Sequence, residues 1–127
     1  MKLEIPTYKQ KRPYTCLPGC IRSVLGYLGV ERTEEEIVEA CGTTKFGTSP
    51  DRAAAGVRAL GCEALCFEEG SLDFLIERLC QGLPTIVFLK VSELPYGSAG
   101  IHAGVVCGFE EEKVVYLDPG LGRGSSP

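Results

Sequence analysis

The sequence predicts an α+β domain, with helices first and most of the strands last. Three observations predict it. Apolar residues from Leu17 to Leu28 recur at helical spacing. Three more segments before residue 82 open on a capping residue and close on glycine. Beyond residue 84 the text turns to β-rich runs separated by turn residues. Helices grouped ahead of strands argue against a βαβ repeat.

Taken in order, the first helix carries Leu17, Cys20, Ile21, Val24, Leu25 and Leu28 as one apolar stripe. Thr15 is its expected N-cap, Pro18 falls in the first turn, where a missing N–H costs nothing, and Gly29 is the stop. Thr33 and Glu36 form a capping box for a second helix that ends before Gly42. Ser49-Pro50 opens a third, closed by Gly61, and Ser71 caps a fourth over 72–81, closed by Gly82. CEALCF (62–67), PTIVFLK (84–90), IHAGVVCGF (101–109) and KVVYLD (113–118) read as strands, the last two joined through EEE as a hairpin. The tail PGLGRGSSP reads as a loop or frayed end.

A chain of 127 residues with 44% hydrophobic and 24% charged residues fits one domain over 1–127, with a core that needs neither metal nor disulfide. The net charge of −4, with Lys and Arg scattered, argues against a nucleic-acid partner, which requires a clustered basic face. The start MKLEIPTYKQKRPY has no apolar stretch and so no secretory signal, and TIVFL and AGVVCGF are too short to span a bilayer. Seven cysteines, an odd number with no C-x2-C pair, point to a reducing cytoplasm. Most of them, Cys20, Cys80 and Cys107 included, are expected as buried small hydrophobes.

The exception is Cys16. A thiol in the first turn of a helix faces unpaired N–H groups and the positive end of the dipole, which favour the thiolate. With a histidine added, a cysteine pKa can fall from about 8.5 to roughly 3.5–7.5. The same N–H groups can stabilise an oxyanion, and the amide of Gln10 can donate to it as well. The single histidine, His102, opens a strand after the PYGSAG loop. Asp118 closes the KVVYLD strand ahead of Pro119, so an antiparallel hairpin would bring it beside His102, although Asp-Pro is also an ordinary turn starter. The EEEIVE run (34–39) reads as the solvated side of a helix. GTTKFGTSP is either a plain connector or a loop near a cleft.

The order Gln10, Cys16, His102, Asp118 resembles that of a papain-like cysteine peptidase. The stretches YTCLPGCIRSVLGYLG, TEEEIVEACGTTKFGTSP, AAAGVRALG and HAGVVCGFEEEKVVYLDP resemble the bacterial double-glycine leader peptidases, the bacteriocin-processing domains fused to some export ATPases. The resemblance implies a papain-like fold with a helical lobe, a mainly antiparallel sheet and a cleft between them. It makes Cys16 the nucleophile, His102 the base and acid, Asp118 its orienting group and Gln10 the oxyanion donor. It implies a peptide or leader-peptide substrate with small residues before the scissile bond, and no cofactor or metal.

Leu17 stands where that family usually has glycine, and would add bulk beside the nucleophile. The chain carries no ATPase segment, which makes it a free-standing domain or one truncated at its C-terminus, and leaves association with an export ATPase open. An amidase or acyltransferase using the same triad, or a silent leader-peptide receptor, remains an alternative reading.

Overall fold

The computed structural model describes residues 2–64, 71–90, 101–118 and 122–126, with the backbone alone for 89–90, 101–102, 118 and 122–126. Four helices precede four strands: α1 Cys16–Tyr27, α2 Glu34–Cys41, α3 Pro50–Ala59, α4 Leu72–Cys80, β1 Thr85–Lys90, β2 Ile101–Glu110, β3 Lys113–Asp118 and β4 Gly122–Ser126.

The local signals act as their chemistry requires. Thr33 Oγ1 accepts from the Glu36 N–H while the Glu36 carboxylate accepts from the Thr33 N–H, a complete capping box on α2. The hydroxyls of Ser49 and Ser71 accept from Arg52 and Phe74 N–H and start α3 and α4. Gly29, Gly42, Gly61 and Gly82 follow the four helices at positive φ, where a side chain would be strained.

The four strands form one antiparallel sheet in the order β1-β2-β3-β4. β2 and β3 join through Glu111 and Glu112, with φ of 51° and 64°. A bulge between Val106 and Gly108 shifts the β2–β3 register at Cys107. There the N-terminal segment attaches: Lys2 bridges to Gly108, and the Leu3 N–H donates to the Cys107 carbonyl at 2.7 Å.

The tail departs from expectation, since Gly122–Ser126 is a strand paired along β3. GRGSS has poor strand propensity, and the free ladder edge of β3 supplies what propensity lacks. CEALCF also departs: Cys62–Ala64 is not strand, and 65–67 lie outside the described residues.

The core lies between α1–α3 and one sheet face. Leu17, Cys20, Ile21 and Leu25 of α1, Ile37 and Cys41 of α2 and Ala53 of α3 cluster with Ala103, Val105, Cys107, Val115 and Leu117. α4 packs on β1 and β2, and its buried Leu79, with Val106 and Tyr116 of opposite strand parity, falls outside that cluster. The sheet is thus covered on both faces, which explains why β2 is buried continuously from Ala103 to Gly108. Leu28, expected on the apolar stripe, is 52% exposed because α1 ends at Tyr27.

Candidate active site

Cys16 is the first residue of α1, half-buried and packed against the core cluster. Thr15 occupies the N-cap position, yet its side chain makes no cap bond. Its hydroxyl turns back instead, donating to the Arg12 carbonyl at 2.9 Å and accepting from the Arg12 N–H at 3.0 Å. The Thr15 N–H donates to that same carbonyl at 3.2 Å, closing a tight turn over 12–15. The expectation of a Thr15 cap is thereby corrected. Because the first turn holds no acidic side chain either, the positive end of α1 has no carboxylate compensating it within its own first turn.

Gln10 shares this local scaffold. Its Nε2 donates to the Arg12 carbonyl at 2.7 Å, and its Oε1 is buried with no partner among the described residues. A buried acceptor left in this way is a local cost of the kind functional sites carry. One residue on, the Lys11 N–H donates to both carboxylate oxygens of Glu34, at 3.1 and 3.3 Å, while Lys11 Nζ pairs with Glu35 at 2.9 Å. The lysine lowers the Glu35 carboxyl below its ordinary value, chiefly through that hydrogen bond. Glu34 itself is 4% exposed, so the acidic run 34–39 is not simply the solvated face of a helix.

His102 is the second residue of β2 and Asp118 the last of β3. The register pairs Val105 with Leu117, which sets Asp118 opposite Gly104, two positions from His102 at the same end of the sheet. The hairpin reasoning for these backbone positions holds. The side chains of His102 and Asp118, and the PYGSAG loop, lie outside the described residues.

Two expectations around the site change. Leu17 is 3% exposed and belongs to the core, so it presents almost no surface to a substrate. Cys80 is exposed, because it ends α4 on the side away from the sheet-facing Leu79. Cys20, Cys41 and Cys107 are buried as expected, and burial raises the Cys41 thiol above its ordinary value. None of the six described cysteines is in a disulfide, and no cluster among the described residues could hold a metal ion. No described helix is long and apolar enough to cross a membrane.

Comparison with known proteins decides the family. The family model described as the Peptidase_C39 like family matches residues 2–125. The chain belongs to the Peptidase_C39 like family. An uncharacterized protein of Methanothermobacter thermautotrophicus strain Delta H is 32% identical over 114 residues, spanning 90% of this chain and 71% of the relative. Among solved structures the fold is similar to the peptidase domain of Streptococcus ComA, a bi-functional ABC transporter involved in a quorum sensing pathway (TM-score 0.73, 21% identity, 94% of this chain and 83% of that one). It is similar also to a double glycine motif protease from an AMS/PCAT transporter in complex with the leader peptide (TM-score 0.66, 17% identity, 99% and 81%). A C39-like peptidase from Bacillus anthracis matches as well (TM-score 0.76, 14% identity, 100% and 88%). The fold of this family member is therefore the papain-like C39 peptidase fold, with its helices and antiparallel sheet.

Proposed function

We propose that this chain is a cysteine peptidase that cleaves peptide bonds after small residues such as Gly-Gly. The observation that carries the reading is Cys16 as first residue of α1, at a helix start with neither a side-chain cap nor a first-turn carboxylate. That setting favours a thiolate and leaves the helix dipole directed at charge developing on a substrate. Membership of the peptidase family supports it, as does the shared sheet end of His102 and Asp118. The N-terminal segment adds a further constraint. It leaves the Gly108 end of β2 and meets α1 at Gly26 through Pro6 and Tyr8, so Cys16 stands at the opposite end of α1 from that contact.

In this mechanism the Cys16 thiolate attacks the scissile carbonyl carbon, and the oxyanion is held by Gln10 and the α1 N-terminus. Imidazolium at His102 gives its proton to the leaving amine as the C–N bond breaks. Water then attacks the thioester, His102 takes its proton, and the acid and the thiol are released. Asp118 fixes the imidazole tautomer. A leader peptide is the proposed substrate class, by analogy with the solved protease bound to one.

The test is a panel of peptides that differ only before the scissile bond: Gly-Gly, Ala-Gly, Phe-Arg and Leu-Arg. Turnover of the first two is expected, abolished by Cys16→Ala. Asp118→Asn should lower kcat by roughly 10²–10⁴ with the far-UV spectrum unchanged. Preferred cleavage after Phe-Arg would overturn the small-residue specificity. No cleavage of any peptide, with Cys16 still readily alkylated, would favour an acyltransferase or a receptor.

A further inference from the structure

Gln10 lies outside the turn that fixes the nucleophile. The Arg12–Thr15 turn locks residues 12–15 onto α1, but Gln10 sits two residues upstream, in a segment without secondary structure from Leu3 onward. One N–H of its amide donates to the Arg12 carbonyl and the second is left for an oxyanion, so that bond orients the side chain but not the backbone of residue 10. Something else must hold its backbone.

Glu34 is placed to do so. It is 4% exposed, and both its oxygens accept from the Lys11 N–H, at 3.1 and 3.3 Å. No ion pair to Glu34 occurs among the described residues, since Lys11 sends its ammonium outward to Glu35 at 2.9 Å. Glu34 also opens α2, where the helix N–H groups favour an acidic side chain. Placing both oxygens of a buried carboxylate on one remote backbone N–H ties that N–H to α2. It is an effective way to fix one point of an otherwise irregular segment.

We propose that Glu34 is a positioning residue for the oxyanion donor: by gripping the Lys11 N–H it clamps the 10–12 segment to α2 and holds the Gln10 amide at a fixed place relative to Cys16. This rests on the reading of Gln10 given above. It adds a role to a residue on a different helix, 23 positions away in sequence from the N–H it binds.

The test uses two reagents that need no natural substrate. p-Nitrophenyl acetate acylates Cys16 through a tetrahedral oxyanion, with p-nitrophenolate leaving, whereas iodoacetamide alkylates the same sulfur by displacing iodide and forms no oxyanion. The ratio of the two rates, mapped at Cys16 by mass spectrometry, reports oxyanion support separately from thiol reactivity. Gln10→Ala should lower the ratio by on the order of 10²-fold, as loss of one donor does. Glu34→Ala should lower it by at least about tenfold with alkylation unchanged, since a small misplacement is that costly. Glu34→Gln, which keeps one acceptor for the Lys11 N–H, should recover most of it. The Gln10→Ala/Glu34→Ala pair should be no worse than Gln10→Ala alone. Should Glu34→Ala fail to fold, Glu34→Met removes the acceptor without burying a charge and carries the same expectation.

A normal Gln10→Ala effect with neutral Glu34 variants would overturn the clamp. So would Glu34 variants that depress both rates in parallel, or a Glu34 effect that multiplies with that of Gln10→Ala. If Gln10→Ala itself left the ratio unchanged, the oxyanion role of Gln10 would fall, and the clamp with it.

Discussion

At the scale of single residues, the cysteines separate by environment. Cys16 is half-buried at a helix start and Cys80 is exposed at a helix end, while Cys20, Cys41 and Cys107 are buried. Limiting iodoacetamide near neutral pH should therefore modify Cys16 first and Cys80 more slowly, leaving the three buried thiols silent until denaturant is added. Preferential modification of Cys20 or Cys107 in the native protein would contradict the packing described. Cys41 gives this a pH arm. Burial raises its thiol above the ordinary value, so the folded state holds the proton more tightly than the unfolded chain. The corresponding stability is intact below the pKa of an unfolded cysteine and is lost as pH rises through the raised value. A urea midpoint that falls on the alkaline side, and falls less in Cys41→Ala relative to its own neutral value, is expected. The place of Cys16 at a helix start was legible in the sequence because it is a local feature, as is the short spacing from Gln10. Glu34 was not, because a glutamate in the first turn of a helix reads equally well as dipole compensation, and its partner is remote in sequence.

Between elements, what the sequence could not carry is contact. Four helices were legible because caps, stripes and glycine stops are written within a few residues of each other. The α2–α3 contact shows what was hidden. A Cβ built on Gly56 would meet the Cys41 sulfur and lie 2.9 Å from both its Cα and its N, so the two helices touch through a position that admits only hydrogen. Gly56→Ala, which by helix propensity should stabilise α3, is expected to destabilise the protein by about 1–3 kcal/mol, because backbone on the far side cannot give way. A lower urea midpoint at unchanged m would show it, and an unchanged midpoint would mean that α2 and α3 slide freely. The β2–β3 turn is the opposite case. Glu111 and Glu112 both sit at positive φ, a type I′ geometry suited to Asn-Gly. Replacing the pair with Asn-Gly should raise stability by about 1 kcal/mol, read as a Tm increase of roughly 3–5 °C. No change would show that the turn adopts another form in solution. β4 was missed for the related reason that GRGSS has no strand signal of its own and is ordered by pairing with β3.

For the molecule as a whole, the α-then-β order of the chain raises the question of whether it is one cooperative unit or a helical half beside a sheet half. The core answers it. α1 residues Leu17, Cys20, Ile21 and Leu25 share a cluster with β2 residues Ala103, Val105 and Cys107 and β3 residues Val115 and Leu117. The segment ahead of α1 is itself tied to the sheet, the Leu3 N–H donating to the Cys107 carbonyl of β2. Neither half can keep its apolar face covered without the other, and the proposed nucleophile and its histidine lie on different halves. Unfolding in urea should accordingly be a single transition. Loss of far-UV helix signal, exposure of the Cys107 thiol and loss of Cys16 hyper-reactivity should share one midpoint, as two-state behaviour requires. Three probes are needed because they sample α1–α4, the centre of β2 and the α1 start respectively. If Cys16 lost its reactivity at lower urea while Cys107 stayed protected, the segment 10–16 would be a separately melting unit. The clamp from Glu34 would then govern its midpoint, and Glu34→Gln would shift that early transition alone.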